Sequence, residues 1–262
     1  MIIRKSRREV ELMKEAGRIV ATVFKELEHE CKPGVSTHQL DRMAGQIIHR
    51  EGAIPTFLGY GGFPGNICIS VNDTLIHGIP SKTIILKEGD IVSLDVGATK
   101  NGYVADACRT FPVGKISADA QRLLDATEGS FWHAVINYAK PKGRLGDISN
   151  AIQTYVEERG YGVPRDYTGH GIGRNLHEEP YIPNYGEAGR GPILKVGMCL
   201  AIEPMVNEGS YETYTLDDEW TVKTRDGKLS AHYENTIVIT EDGFEVLTVL
   251  DDKELTKWQK QM

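Results

Sequence analysis

Leu12, Ala16, Ile19, Val23 and Leu27 recur every three to four residues, the period that gathers side chains on one face of an α-helix. Ser6-Arg7-Arg8-Glu9 precedes them as a capping box, whose hydroxyl and carboxylate satisfy opposed backbone N–H groups at a helix start. Cys31-Lys32-Pro33-Gly34 breaks this helix. Ser36-Thr37-His38-Gln39 opens a second, with Leu40, Met43, Ile47 and Ile48 as its apolar stripe. From Ile67 to Val113 the pattern shortens to β-branched runs such as Ile67-Cys68-Ile69-Ser70-Val71 and Ile91-Val92-Ser93-Leu94-Asp95-Val96, which predict strands. The order then recurs: Ser117 opens a long helix, Lys140-Pro141-Lys142-Gly143 breaks it, and Ile148 to Glu158 predicts another that ends near Gly160. Strand-like segments fill the remainder.

A shift of 108 residues takes Lys32-Pro33 onto Lys140-Pro141, Leu40 onto Ile148, Leu86-Lys87-x-Gly89 onto Leu194-Lys195-x-Gly197 and Asp95 onto Glu203. His77-Gly78-Ile79 echoes His170-Gly171-Ile172 at a shift of 93. A helix break, a turn and an acidic residue sharing one shift point to a two-fold pseudo-repeat, with halves at about 1–113 and 114–262. No Pro/Gly/Ser-rich linker separates them, so a single domain over residues 1–262 is expected, with a site between the halves.

The composition leaves the broad class simple. Hydrophobic residues at 40% and charged residues at 26% are too apolar a balance for disorder. The longest apolar run, Met198 to Ile202, falls far short of the roughly 18 residues that cross a bilayer, so no membrane association is expected. No secretory signal is readable at the N-terminus, and a cytoplasmic location follows as the default. A net charge of −7 argues against a DNA-binding role. Arg4, Lys5, Arg7 and Arg8 read either as a solvated helix start or as a contact for a polyanion such as ribosomal RNA. Cys31, Cys68, Cys108 and Cys199 stand far apart without a C-x-x-C, and read as reduced thiols.

Carboxylates in unusual places carry the chemistry. Asp95 ends an apolar strand pattern, and Asp106 follows beyond Asn101-Gly102, a strong hairpin-turn signal that would bring the two together. Glu203 in Ala201-Ile202-Glu203-Pro204 and Glu234 in His232-Tyr233-Glu234-Asn235 are embedded in strand-like apolar sequence, where carboxylates seldom stand unless paired or bound to metal. His170 lies between glycines in Thr168-Gly169-His170-Gly171-Ile172-Gly173, which lets other groups approach closely. Each alone has a structural reading, as a turn-bonding Asp or an ordinary hydrogen-bonded His. Together, four carboxylates and one neutral imidazole match the charge of two divalent cations, and four converging carboxylates without counter-charge would oppose folding. Such ligation suits Mn, Fe, Co or Zn, and two ions about 3.5 Å apart would lower the pKa of a water and clamp a carbonyl oxygen.

The order Asp95, Asp106, His170, Glu203, Glu234, with His77-Gly78-Ile79-Pro80, Gly169-His170-Gly171-Ile172-Gly173, His177-Glu178-Glu179-Pro180 and Glu203-Pro204-Met205, resembles the type I methionine aminopeptidases from about residue 4 to residue 250. The resemblance implies an α/β (α+β) "pita-bread" fold: an antiparallel sheet with an internal pseudo-two-fold repeat and helices on its outer face. It implies that Asp95 chelates one metal, that Asp106 and Glu234 bridge both, and that His170 and Glu203 complete the second. Glu203 would also shuttle a proton. His77 and His177 would contact substrate and stabilise the developing oxyanion. Phe57, Tyr60, Phe63, Cys68, Leu176 and Trp220 would line a slot for the thioether side chain, whose unbranched, polarizable form suits aromatic and thiol walls. Leu176 reads equally well as core. Backbone oxygens of Asn72, Thr74 and Ser230 match a monovalent-cation site. Phe57 stands where many members carry Cys, Phe63 where many carry Tyr and Leu176 where many carry Phe, and the bulkier Phe57 is expected to narrow the entrance.

The 32 residues between His170 and Glu203 leave no room for the helical subdomain of the type II enzymes, and no Cys/His-rich N-terminal extension is present. The resemblance then implies a short bacterial-type monomer, acting on nascent polypeptide N-termini whose second residue is small and touching the ribosome at most transiently. With Ile2 second, the chain should retain its own Met1. Three alternatives stay open: a proline-specific peptidase of the same fold, a metal-free binding relative, and a creatinase-like hydrolase of a non-peptide amide.

Overall fold

The protein is described by a computed structural model over residues 1–260. Among these residues lie five α-helices, α1 (Arg7–Leu27), α2 (Thr37–Arg50), α3 (Ala118–Tyr138), α4 (Leu145–Glu157) and α5 (Lys253–Gln259). The predicted capping box forms, with the backbone N–H of Ser6 donating to the Glu9 carboxylate at 2.8 Å, and a second closes the start of α2, where that of Ser36 donates to Gln39 Oε1 at 2.9 Å. Ser117 caps α3 by accepting from the N–H of Ala120 at 3.0 Å. Helix α4 begins at Leu145, ahead of the Ile148 that the apolar pattern predicts. Asp147 is the reason, because its carboxylate accepts from the N–H of Arg144 at 2.9 Å and fixes a first turn that no Ser or Thr announces. On α1, Met13, Val20 and Phe24 join the predicted stripe in the core, whereas Leu12 is half-buried.

A nine-stranded sheet forms the centre of the described residues. Its path runs Ile54–Pro55, Ile91–Lys100, Tyr103–Pro112, Glu234–Ile239, Cys199–Ile202, Thr168–Gly171, Glu178–Pro183, and Cys68–Val71 and Phe244–Val246 pair at its sides. Every one of these pairings is antiparallel. The strand Ile91–Lys100 continues beyond Asp95, which therefore sits mid-strand rather than at an end. The longer strand is held on both edges, with Thr99 opposite Ile54 and opposite Val104.

Alternation along the strands separates two faces. Val92, Leu94, Val96, Ala98, Ala105 and Ala107 pack with α1 and α2, and Leu200, Ile202, Ile237 and Ile239 pack in the cluster that holds α3 and α4. Residues of the opposite parity, including Asp95, Asp106, Ala201, Glu203, Glu234 and Thr236, face the other side. The helices thus cover one face and leave the other for chemistry. Two smaller sheets complete the described strands: Thr213–Thr215, Val222–Thr224 and Thr74–Ile76 pair in one, Met205–Asn207 and Ser230–His232 in the other.

The pseudo-repeat is written in backbone hydrogen bonds. Gly34 N–H donates to Leu86 O at 2.8 Å, and Lys142 N–H donates to Leu194 O at 3.0 Å. Leu86 N–H returns to Val35 O at 2.9 Å, and Leu194 N–H to Gly143 O at 2.8 Å. The isolated bridges Ser36 to Ile85 and Arg144 to Ile193 repeat the same relation. These pairs share the 108-residue shift read from the sequence, and α1 and α3 each span 21 residues.

Candidate active site

The Asn101-Gly102 signal produces the hairpin that starts the site. Lys100 pairs with Tyr103 across a two-residue turn, and both turn residues have positive φ, 52° at Asn101 and 77° at Gly102. This is the mirror-image turn whose twist matches two adjoining strands. The register it sets puts Asp95 opposite Cys108 and Asp106 opposite Gly97, so the two carboxylates are diagonal neighbours on one face. Glu234 lies opposite Cys108 from the next strand, and His170 lies opposite Ala201, two residues before Glu203. Five residues scattered over the sequence thus share one face through pairing alone.

They share one cavity of about 130 Å³, and Asp95, Asp106, His170, Glu203 and Glu234 line it together with His77, His177, Phe57, Tyr60, Phe63, Cys68, Leu176 and Trp220. His170 donates from Nδ1 to the carbonyl of Gly171 at 2.9 Å, which leaves Nε2 as a free lone pair. That Nε2 faces Glu203 Oε1 at 3.6 Å and Asp106 Oδ2 at 4.0 Å. Thr236 fixes Asp106 from the neighbouring strand: its hydroxyl donates to the carbonyl of Asp106 at 2.8 Å and accepts from the N–H of Asp106 at 3.0 Å. Asn184 holds the carbonyl of Glu203 through its side-chain N–H at 2.9 Å.

The electrostatics are those of acidic groups gathered on one buried face. Burial pushes Asp95 up to about 7, although a hydrogen bond with Asp106 works the other way. Burial first, then the neighbouring carboxylates, push Asp106, Glu203 and Glu234 well above the usual carboxylate range. Asp95 Oδ1, Asp106 Oδ1 and Glu234 Oε1 are buried with no hydrogen-bond partner. Buried polar atoms of native proteins are normally satisfied, so bare oxygens converging on one cavity mark a position for positive charge. Asp106, His170 and Glu234 each bring a ligand atom within 4.8 Å of the others, and so do Glu203, His232 and Glu234. The donor set of carboxylate oxygens and imidazole nitrogens fits divalent metal ions.

His232 is the residue that sequence reasoning missed. Its Nε2 is buried without a hydrogen-bond partner, 3.6 Å from Glu203 Oε2 and 3.9 Å from Glu234 Oε2, and burial lowers its pKa to about 3. The signal was the spacing of two from Glu234, which in an extended segment puts both on one face.

The remaining predicted residues form the walls. His77 has φ 57°, a left-handed backbone that non-glycine residues seldom adopt, and its ring stacks edgewise on Trp220 and Tyr167. Burial lowers its pKa to about 4, as it does that of His170. His177 is exposed; its ring stands 4.4 Å from that of His170, and its Nδ1 is 2.8 Å from the hydroxyl of Tyr60. Phe63 packs edgewise on Trp220 at 5.2 Å. Leu176, which read equally as core or pocket, is both: it is buried in a cluster with Phe57, Phe63 and Cys68, and it lines the cavity. Phe57 lies over Gly97, where a Cβ would stand 2.7 Å from its ring.

Asn72, Thr74 and Ser230 lie apart from this lining, and Ser230 N–H donates to the Asn72 carbonyl at 2.8 Å.

The sequence model of metallopeptidase family M24 matches residues 11–241. Methionine aminopeptidase 1 of Bacillus subtilis is 55% identical over 248 residues, 95% of this chain and 99% of that protein. The crystal structure of methionine aminopeptidase from Thermotoga maritima superposes with a TM-score of 0.93 at 44% identity, over 95% of this chain and all of that one. A prolidase from Pyrococcus furiosus superposes with a TM-score of 0.76 at 25% identity, over 95% of this chain and 66% of that one.

Proposed function

The chain belongs to metallopeptidase family M24, with the pita-bread fold of its structural neighbours, and on that premise we propose that it is a metal-dependent aminopeptidase removing N-terminal methionine from newly made polypeptides. The observation that carries this reading is the single cavity in which acidic side chains with bare oxygens meet an aromatic slot. Asp95 would hold one divalent ion, Asp106 and Glu234 would span two, and His170 with Glu203 would complete the second, with Mn, Fe, Co or Zn as candidates. Bound there, such ions supply Lewis-acid polarisation of a carbonyl and a lowered pKa for water, the chemistry of amide hydrolysis.

The protein's own groups do the rest. Glu203 moves the proton: its carboxylate, which lines the cavity, takes it from the attacking water and delivers it to the leaving amine nitrogen. His77 and His177, which line the cavity, would donate hydrogen bonds to the scissile carbonyl oxygen as negative charge develops there. Phe57, Tyr60, Phe63, Cys68, Leu176 and Trp220 exclude water and receive the thioether chain. Selection for a small second residue arises by exclusion, since a bulky side chain would clash with a site this narrow.

The same reading takes residues 1–262 as one catalytic unit, supported by the strand Glu234–Ile239, which pairs with Tyr103–Pro112 of the first half and Cys199–Ile202 of the second. It assigns a monovalent cation to the backbone oxygens near Asn72, Thr74 and Ser230, a monomeric state, and a cytoplasmic location with transient ribosome contact. Among the described residues no helix is long and apolar enough to cross a membrane.

The test is a peptide panel. Protein stripped by chelator and restored with Mn or Co is offered Met-Ala-Ser, Met-Leu-Ser, Leu-Ala-Ser and Ala-Pro-Ser. Release of methionine from the first alone, abolished by chelator, supports the reading; cleavage of Ala-Pro-Ser instead moves the protein to the proline-peptidase branch, and no cleavage with any metal removes the enzymatic reading.

A further inference from the structure

Lys5 lies outside the cavity, yet its ammonium is buried. It pairs with Glu178 Oε2 at 2.5 Å, and the two side chains are only 4% and 7% exposed. The second oxygen of Glu178 accepts from the N–H groups of Arg174 at 2.9 Å and Asn175 at 3.2 Å. One carboxylate therefore closes residues 174–178 on themselves, and this is the segment that carries Leu176 and His177 into the cavity. Lys5 is itself pinned: its backbone N–H donates to the carbonyl of Gly197 at 2.6 Å, and the neighbouring Arg4 Nε donates to that of Val196 at 2.7 Å. Gly173 makes the room, because a Cβ there would stand 2.7 Å from Glu178 Oε1 and 2.8 Å from Lys5 Nζ.

A buried ion pair is a poor source of stability, since desolvation offsets most of the Coulombic gain, whereas two charges that must meet admit few loop geometries. His177 needs that constraint. It is exposed, with the Tyr60 hydroxyl as its hydrogen-bond partner on the cavity side. We propose that Lys5 is a positioning residue for the substrate side of the site, fixing through Glu178 the loop that presents Leu176 and His177. The inference rests on the reading of His177 as a substrate contact.

The test is a double-mutant cycle between Lys5→Met, which keeps the aliphatic stem, and His177→Ala, with hydrolysis of Met-Ala-Ser, Mn(II) titration calorimetry and thermal melting on each protein. Lys5→Met is expected to lower kcat/KM about tenfold or more, with Mn(II) affinity within about twofold of the parent, since the metal-binding face lies on other strands. In the His177→Ala background the same change should cost about threefold or less, the part that acts through Leu176, because the histidine it positions is already gone. Should Lys5→Met not fold, Glu178→Gln, which keeps an acceptor oxygen for the loop amides, replaces it with the same expected outcomes. Unchanged kcat/KM, losses that multiply in the double variant, or Mn(II) affinity falling in step with activity would each overturn the proposal. Full activity in His177→Ala alone would instead overturn the assignment of His177, and this inference with it.

Discussion

The hydroxyl of Thr236 donates to the carbonyl of Asp106 at 2.8 Å and accepts from the amide of the same residue at 3.0 Å, so a neutral side chain on one strand fixes both backbone groups of an acidic residue on another. Thr236→Val keeps the shape and removes both bonds in a fully buried place. A loss of about 1–3 kcal/mol is expected from the groups left unpaired. Mn(II) affinity should weaken about tenfold or more, as when partners behind a metal ligand are removed. Thr236→Ser, which keeps the hydroxyl, should recover both; calorimetry and thermal melts check this, and equal affinities for Val and Ser would break the link.

Asp95 gives a pH signature to the metal-free protein. Its carboxyl is raised from 3.8 to about 7 on folding, mainly by burial. An acid held more tightly protonated in the folded chain contributes destabilisation as pH rises from the lower value through the higher one. Metal-free wild type should therefore lose stability relative to metal-free Asp95→Asn between about pH 4 and pH 8, by a few kcal/mol at the upper end. His77, His170 and His232 act in the opposite sense, neutral in the folded chain and costing stability as pH falls below their ordinary value of 6.5. Both proteins share that acid limb, so the difference between their melting curves isolates the carboxylates. Parallel curves would contradict the burial argument.

Much of this face was legible in the sequence, and the parts that were not share a cause. Asn101-Gly102 announced a turn of one hand, and a two-residue turn with alternation fixes which side chains meet, so the meeting of Asp95 and Asp106 on one face followed locally. The continuation of the strand past Asp95 did not, because Gly97 and Lys100 dilute the apolar pattern and pairing partners on both edges supply what the pattern lacks. His232 escaped because the segment turns from one sheet to another at Tyr233, between Ser230–His232 and Glu234–Ile239, which hides an alternation that survives the break. Lys5 read as one of four basic residues at a helix start; its partner is Glu178, and no local spacing encodes a contact between such distant positions. The start of α4 slipped because Asp147 rather than a hydroxyl residue closes its first turn.

Gly97 and Phe57 form a steric pair at the pocket wall. Gly97→Ala would drive a methyl into the Phe57 ring, 2.7 Å from its nearest carbon, and tilt that ring into the aromatic slot. KM for Met-Ala-Ser should rise about tenfold, equivalent to about 1.4 kcal/mol. Phe57→Cys combined with Gly97→Ala should restore it, whereas a loss that persists in the double variant would place the effect elsewhere.

Glu203→Ala separates chemistry from folding. If Glu203 carries the proton as proposed, its removal should lower kcat about 100-fold or more. The variant should melt no lower than metal-free wild type at pH 7, because a buried carboxylate pushed far above its ordinary range has been removed. Turnover at the parental rate would remove Glu203 from the proton path.

The central claim is that the acidic face is built for divalent ions, and titration of chelator-stripped protein with Mn(II) at pH 7, in two buffers of different ionisation enthalpy, tests it directly. Carboxyls raised by burial, and at Asp106, Glu203 and Glu234 also by their acidic neighbours, must give up protons as the ions enter. The account predicts saturable uptake of two ions with protons released to the buffer, both reduced in Asp95→Asn. Absence of uptake, or uptake that neither releases protons nor responds to Asp95→Asn, would contradict it.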